Sequence, residues 1–264
     1  MREFRFLPVA GLFALISAVS PPAVLAQSGV PANSSSFGGW EAGSFQVAQH
    51  GHAVGTATFQ IIATPDGHDS TSLVRVTMDG LGYALSKNER LSSANQLEHA
   101  QLSATVNGEA VNVIVAPDSA QFLMNISASG RSTTTRLDAH PAAVLLPDFD
   151  PGALETLLAL AAAQNNRDLW AILPKSAGSI VPVQLATYAD QQGTLDGKAI
   201  TVHHMVATIA GANTDLFSGP ENQLLQAELP QEGFALIRNG FVLTPPAKPM
   251  APPDEATPPP EPQA

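Results

Sequence analysis

Turn signals divide this chain into short runs in which apolar and polar residues alternate. Alternation of this kind is typical of β-strands that bury one face. Asn107-Gly108 is the strongest turn signal, because a type I′ turn needs positive φ at both central positions and these residue types tolerate it. Further turns are predicted at Gly51, Asp66-Gly67, Asp79-Gly80, Pro117-Asp118, Ser129-Gly130 and Asp196-Gly197. The chain is therefore predicted to fold as an antiparallel meander.

A hairpin is predicted across Gly51, and further strands are predicted over 72–78, 83–91, 97–106, 110–115, 121–127, 132–137, 169–173, 180–188, 199–209, 223–229 and 234–243. The pattern changes at about 151–165, where an amphipathic helix is predicted with Asp150 as N-cap and Pro151 at its first position. One face of this helix carries Leu154, Leu157, Leu158 and Ala161. The predicted fold class is mainly β, a curved sheet or half-barrel with one inserted helix. A β-sandwich is the alternative, because it shares short alternating strands and tight turns.

The first 26 residues have the three parts of an export signal. Arg2 and Arg5 precede an apolar run over 6–19, and small residues follow up to Ala26. The run is shorter than the roughly 20 apolar residues that a membrane-spanning helix needs. We therefore expect cleavage after Ala26, a periplasmic or secreted protein, and no stable membrane insertion once the signal is removed.

Composition divides the remainder of the chain into three parts. A small, polar leader is predicted over 27–37, a single β-rich domain over 38–243, and a disordered tail over 244–264, where nine of the last twenty residues are proline. The formal net charge of −11 disfavours nucleic acid and anionic membranes as partners. The chain has no cysteine, which excludes disulfides, thiolate metal sites, cysteine nucleophiles and an anchor of the bacterial lipoprotein type.

The sequence carries few signals of catalysis. It contains no Gly-x-Ser-x-Gly elbow, no dinucleotide-binding fingerprint and no His-Glu-x-x-His zinc helix. We therefore expect a non-enzymatic protein with no cofactor. His50 and His52 are two residues apart and would share one face of a strand, which makes them candidate metal ligands that still need a third partner. The adjacent His203 and His204 would point to opposite faces of their strand.

Three segments of the sequence carry a family resemblance. They are Gly39-Trp40-Glu41 through Phe45-Gln46-Val47, Gly51-His52-Ala53-Val54-Gly55-Thr56, and Asn222-Gln223-Leu224-Leu225-Gln226-Ala227-Glu228-Leu229-Pro230. The chain resembles, over 38–243, exported bacterial proteins related to the LolA/LolB lipoprotein-carrier fold. The resemblance implies a curved antiparallel sheet that wraps around helix, and it carries over no catalytic residue.

Together these features predict an exported, non-enzymatic protein that binds or carries an apolar or acyl ligand in a cavity between sheet and helix. The helix would act as a lid, and the predicted lining residues are Leu154, Leu157, Leu158 and Ala161. Two alternatives stay open. One is a structural component of the cell envelope whose partner is another protein, and the other is a metal-binding protein that uses the His50 and His52 hairpin.

Overall fold

The computed structural model describes residues 42–175 and 177–245. The predicted signal, the leader, almost all of the tail and the first part of the Gly39 motif lie outside the described residues. Every described helix and strand belongs to one compact unit.

The first eight strands are β1 (Ala42–Gln49), β2 (His52–Thr64), β3 (Gly67–Met78), β4 (Leu81–Ser92), β5 (Leu97–Val106), β6 (Glu109–Asp118), β7 (Gln121–Ala128) and β8 (Arg131–Asp138). They are followed by β9 (Ala143–Leu145), α1 (Pro151–Ala163), β10 (Leu169–Leu173), β11 (Ser179–Thr187), β12 (Gln191–Leu195), β13 (Lys198–Ile209), β14 (Ala212–Ser218), β15 (Leu224–Leu229), β16 (Phe234–Arg238) and β17 (Phe241–Leu243).

The strands form one open sheet in two halves that meet at β1. Strands β1 to β8 follow one another as antiparallel hairpins. The second half runs from β9 through β10, β11, β13, β14 and β15 to β16, which pairs with β1. Only the β9–β10 pair in this path is parallel. Strand β8 at one end and β9 at the other close no barrel within the described residues. The predicted curved antiparallel sheet with one helix is confirmed, and the β-sandwich alternative is wrong.

Hairpin turns lie close to where glycine and asparagine predict them. Asn107 and Gly108 adopt φ of 51° and 86°, and they join the paired residues Val106 and Glu109. The predicted turn at Pro117-Asp118 is wrong by two residues, because β6 continues to Asp118 and the left-handed residue is Ser119. Positive φ therefore marks most of these turns, but not the one predicted at Asp66-Gly67, where Gly67 is already the first residue of β3.

Several strands differ from the prediction. The strand predicted over 234–243 is two strands, because Gly240 takes a φ of 82° and reverses the chain between β16 and β17. Strands β9, β12 and β14 are not predicted. Strand β9 has three residues, and β12 and the start of β14 are polar, so none of them shows a clear alternation. These strands form because their neighbours supply backbone partners.

Helix α1 lies inside the sheet rather than over it. All residues from Pro151 to Ala161 are buried, and the helix contacts β2, β3, β9, β10 and β15, which belong to both halves of the sheet. The expected amphipathic lid is therefore wrong, because a helix that is buried on all sides belongs to the core. No helix within the described ranges combines the length and the apolar character needed to span a membrane.

The N-terminus of α1 is held by a buried ionic cluster. Asp150 caps the helix as predicted, since its Oδ1 accepts hydrogen bonds from the backbone N–H of Gly152 at 2.9 Å and of Ala153 at 3.2 Å. Its Oδ2 lies 2.9 Å from Lys87 Nζ, which also contacts Glu89 Oε2 at 3.0 Å. All three charged side chains are inaccessible to solvent. The cluster therefore ties the helix start to β4.

Burial and charge act in opposite directions on the members of this cluster. Desolvation of Lys87 disfavours its charge, but Asp150 and Glu89 outweigh this effect and raise the pKa of Lys87 above its ordinary value. For Glu89, desolvation outweighs the attraction of Lys87 and raises the pKa of the carboxyl group. Glu89 is therefore the member of the cluster that opposes folding when it is ionised.

A second buried carboxylate holds the middle of α1. Glu155 Oε2 accepts a hydrogen bond of 2.7 Å from the backbone N–H of Leu224 on β15. The carbonyl of Leu224 in turn accepts a bond of 2.7 Å from Arg238 Nε on β16, and the Arg238 guanidinium lies 5.0 Å from the ring centroid of Phe45. Asp150 and Glu155 thus attach the helix to both halves of the sheet.

We expect Glu89→Gln to remove a pH dependence of stability. A carboxyl group whose pKa is raised in the folded state contributes stability that is fully present below its ordinary value, near pH 4.5, and is lost as pH rises through the raised pKa. Glutamine does not titrate, so the free energy of unfolding of the variant should rise relative to the wild type between acid and neutral pH. Urea denaturation at a series of pH values measures this difference.

The control for that experiment is Glu98→Gln on β5, whose side chain is 46% exposed. This variant should follow the wild type across the same pH range, because an exposed carboxylate contributes little to stability. A free energy of unfolding of Glu89→Gln that falls relative to the wild type as pH rises would show that the ionised carboxylate stabilises the fold.

Candidate ligand-binding site

A cavity of about 350 Å³ lies at the C-terminal end of α1. It is lined by residues of the helix and of the loop that follows it, by the ends of β11 and β14, by the middle of β13 and by the loop after β14: Leu158, Ala161, Ala162, Asn165, Asn166, Thr187, His203, Met205, Ser218 and Asn222. The volume is near the lower limit for small-molecule sites, about 300–1,000 Å³. We call this space the α1 cavity.

The α1 cavity exists because the helix ends before it fills the space that the sheet encloses. Asn165 and Asn166 adopt left-handed φ of 50° and 60°, which asparagine tolerates better than most residues, and the N–H of Asn166 closes the helix by donating to the carbonyl of Ala161 at 2.8 Å. The helix predicted to reach 165 therefore ends at Ala163. The chain then continues to β10, and the space beyond the last turn of α1 stays open.

The walls of the α1 cavity combine an apolar part with a polar part. Leu158 and Ala161 are buried on the helix, and Met205 on β13 packs against the same core. His203, also on β13, is held by Asp190, because its Nδ1 lies 2.9 Å from Asp190 Oδ1. The site can thus accept an apolar group beside a hydrogen-bonding one.

Ser218 is the most deeply placed polar residue of the α1 cavity. It is directly opposite His203 in the register of β13 and β14, and it is inaccessible to solvent. Within the part of the chain that the structure describes, its Oγ has no hydrogen-bond partner. Most buried hydroxyl groups in folded proteins have one, so this hydroxyl keeps an unused capacity for a hydrogen bond beside the cavity.

The predicted lining residues separate into two pairs. Leu158 and Ala161 line the α1 cavity, whereas Leu154 and Leu157 pack within the main core. Their role in ligand binding stays a prediction. Sequence reasoning missed Ser218 and Met205, which have no local motif and reach the site only through the pairing of β13 with β14 and the position of the helix.

The two adjacent histidines of β13 lie on opposite faces, as the strand period predicts. His204 stacks against Phe217, with ring centroids 4.7 Å apart, and its Nε2 lies 2.8 Å from Asp215 Oδ1. Phe217 belongs to a small second core on the outer face, which also includes Val202, Leu225 and Phe241. Only His203 therefore faces the helix side of the sheet.

The predicted metal pair lies at the β1–β2 turn. His50 is a turn residue with φ of 48°, and its N–H donates to the carbonyl of Gly233 at 2.8 Å, whereas His52 begins β2. Both residues are exposed. Over residues 42–175 and 177–245, no group of three or more potential ligating side chains is brought together. A metal site here stays a prediction that rests on two ligands.

A larger cavity, about 530 Å³, lies on the outer surface of β2 to β6. Its walls are mostly short side chains such as Thr56, Ser86 and Ser103, together with Leu73, which is 59% exposed. It has no deeply buried polar group comparable with Ser218. Size alone does not make a specific site, so we take the α1 cavity as the candidate.

No protein-family model, curated protein or solved structure matches the chain. The resemblance to the LolA/LolB fold accordingly stays a prediction.

Proposed function

We propose that the protein is an exported, non-enzymatic binding or carrier protein that holds an apolar or acyl ligand in the α1 cavity. The observation that carries this proposal is a partly apolar cavity at the junction of sheet and helix, lined by Leu158, Ala161 and Met205. Such a combination of apolar walls and a few polar groups is typical of small-molecule sites.

The buried helix explains why the ligand would bind at its end. Since α1 is enclosed from Pro151 to Ala161, an alkyl chain has no access along the helix without displacing the core. The last helical residues differ, because Ala162 and Ala163 are exposed. A ligand of moderate chain length can therefore enter beside Ala162 and lie against Leu158.

We expect Ala162→Trp to weaken uptake of an apolar probe about tenfold or more, because the indole ring would occupy the α1 cavity. The probe is diphenylhexatriene, a hydrocarbon whose fluorescence rises in apolar surroundings, titrated against the purified protein. Native mass spectrometry of the wild type, followed by organic extraction, would identify any ligand that copurifies.

The matched control is Ala163→Trp, at the next position of the same helix turn. Ala163 is also exposed but does not line the α1 cavity. This variant should bind the probe within about twofold of the wild type, and both variants should unfold within about 0.5 kcal/mol of it. Equal probe binding by the two variants, or no binding by the wild type, would contradict the proposal.

A further inference from the structure

The polar part of the α1 cavity indicates what kind of ligand it selects. Building on the proposed function, we propose that the ligand joins its apolar chain to a neutral hydrogen-bonding group, an alcohol, ester or amide, that binds Ser218. A free carboxylate is disfavoured at this position. The inference rests on the hydroxyl of Ser218, the His203–Asp190 pair and the end of α1.

Ser218 offers a hydrogen bond that the protein itself does not use. Its side chain is fully buried, it borders the cavity, and among the described residues its Oγ has no partner. A hydroxyl can both donate and accept, so it suits an alcohol, a carbonyl or an amide equally well. Because this Oγ has no accessible surface, the groups that cover it must shift before a ligand atom can bind there. A ligand atom at Ser218 would then satisfy this group and orient the apolar chain toward Leu158.

The charges around the α1 cavity do not favour an anion. Among its lining residues, His203 is the only one that can become positively charged, and Asp190 at 2.9 Å already balances it. The C-terminal end of a helix carries partial negative charge, and α1 ends at this cavity. Three charged residues adjoin the lining residues in the chain: Arg167, Asp168 and Glu221. Two of the three are acidic, so they do not favour an anion either.

The remaining polar groups are neutral. Asn165, Asn166, Asn222 and Thr187 surround the opening with amides and a hydroxyl. These groups donate and accept hydrogen bonds without a preference for net charge. A carboxylate would lose its hydration without gaining a cation in return, whereas an alcohol or amide loses much less.

The test compares three ligands with a ten-carbon chain, here called the decyl compounds: decanol, decanamide and decanoate. Each is titrated against the protein loaded with diphenylhexatriene near neutral pH, and displacement of the probe gives relative affinity. We expect decanol and decanamide to displace the probe at concentrations about tenfold lower than decanoate. Displacement by decanoate that is equal or stronger would overturn the inference.

Ser218→Ala tests the position of the headgroup. We expect it to weaken decanol and decanamide about three- to tenfold more than it weakens the hydrocarbon probe, the effect of one hydrogen bond. The control is Ser72→Ala, which removes another buried serine hydroxyl that lacks a hydrogen-bond partner among the described residues but lies outside the α1 cavity. This variant should bind all four compounds as the wild type does.

The two proposals fail in different ways. If the wild type binds the hydrocarbon probe but Ser218→Ala weakens nothing, the headgroup inference is overturned and the proposed function stands. If the wild type binds neither the probe nor any decyl compound, both proposals are overturned.

Discussion

Lys87→Met should lower the free energy of unfolding by about 3–5 kcal/mol, the usual cost of removing one partner from a buried ion pair. Lys87 is the cation between Glu89 at 3.0 Å and Asp150 at 2.9 Å, and no side chain of the three reaches solvent. Without it, two carboxylates are left in the interior with no neutralising charge. Urea denaturation followed by circular dichroism measures the loss.

The loss should depend on pH in a way that a simple packing defect would not. Because the defect is the unpaired negative charge, it should shrink when acid protonates Glu89, whose pKa burial raises. Adding Glu89→Met to Lys87→Met should recover part of the stability, since apolar replacements of buried ion pairs are often tolerated. A loss that stays constant between neutral and acid pH would count against this explanation.

Arg90→Met on the same strand is the control for Lys87→Met. Arg90 is 45% exposed and lies 3.4 Å from Glu98 and 4.0 Å from Asp69. Exposed ion pairs are worth about 0–1 kcal/mol, so this variant should unfold close to the wild type. Similar losses for Arg90→Met and Lys87→Met would mean that β4 is sensitive to any lost cation.

Leu157→Ala should be the most damaging substitution in the helix, with a loss of about 2–5 kcal/mol in the free energy of unfolding. Leu157 lies in the middle of α1 and has no exposed surface. The sheet surrounds the helix, so the surrounding strands cannot collapse into the space without distorting their pairing. The cost of a core truncation rises with the cavity that remains.

Leu73→Ala provides the comparison, because Leu73 is 59% exposed on the outer face of β3. Its truncation should change stability by no more than about 0.5 kcal/mol. The pair of variants also tests the position of α1. If the helix were a lid that opens readily, Leu157→Ala would cost little more than Leu73→Ala, and ligands could bind along the whole helix.

Much of the fold was predictable because local chemistry and tertiary structure agree. The turn at Asn107-Gly108 needs two residues with positive φ, and the N-terminus of α1 needs an acceptor such as Asp150. Strand β5 begins and ends where the alternation predicts. Where the local signal is weak, as in β9 and β12, the pairing of neighbouring strands decides the structure.

The candidate site was much less predictable. Helix periodicity predicts Leu158 and Ala161, but Ser218 comes from a strand that carries no motif. His203, Asp190 and Ser218 are separated along the chain. Ser218 lies beside His203 because β13 pairs with β14, and Asp190 lies beside it because β12, which follows Asp190, also pairs with β13. Register and helix position are long-range properties, which a single sequence does not display.

The fold class, the positions of most turns and the start of the helix follow from local sequence, because these depend on φ preferences, alternation and capping between near neighbours. Only the folded structure shows that α1 lies inside the sheet, that Lys87 contacts Asp150, and that Ser218 borders a cavity. Each of these depends on contacts between residues far apart in the chain. The stabilising energy of such contacts is distributed over many partners, so no single residue identifies them in the sequence.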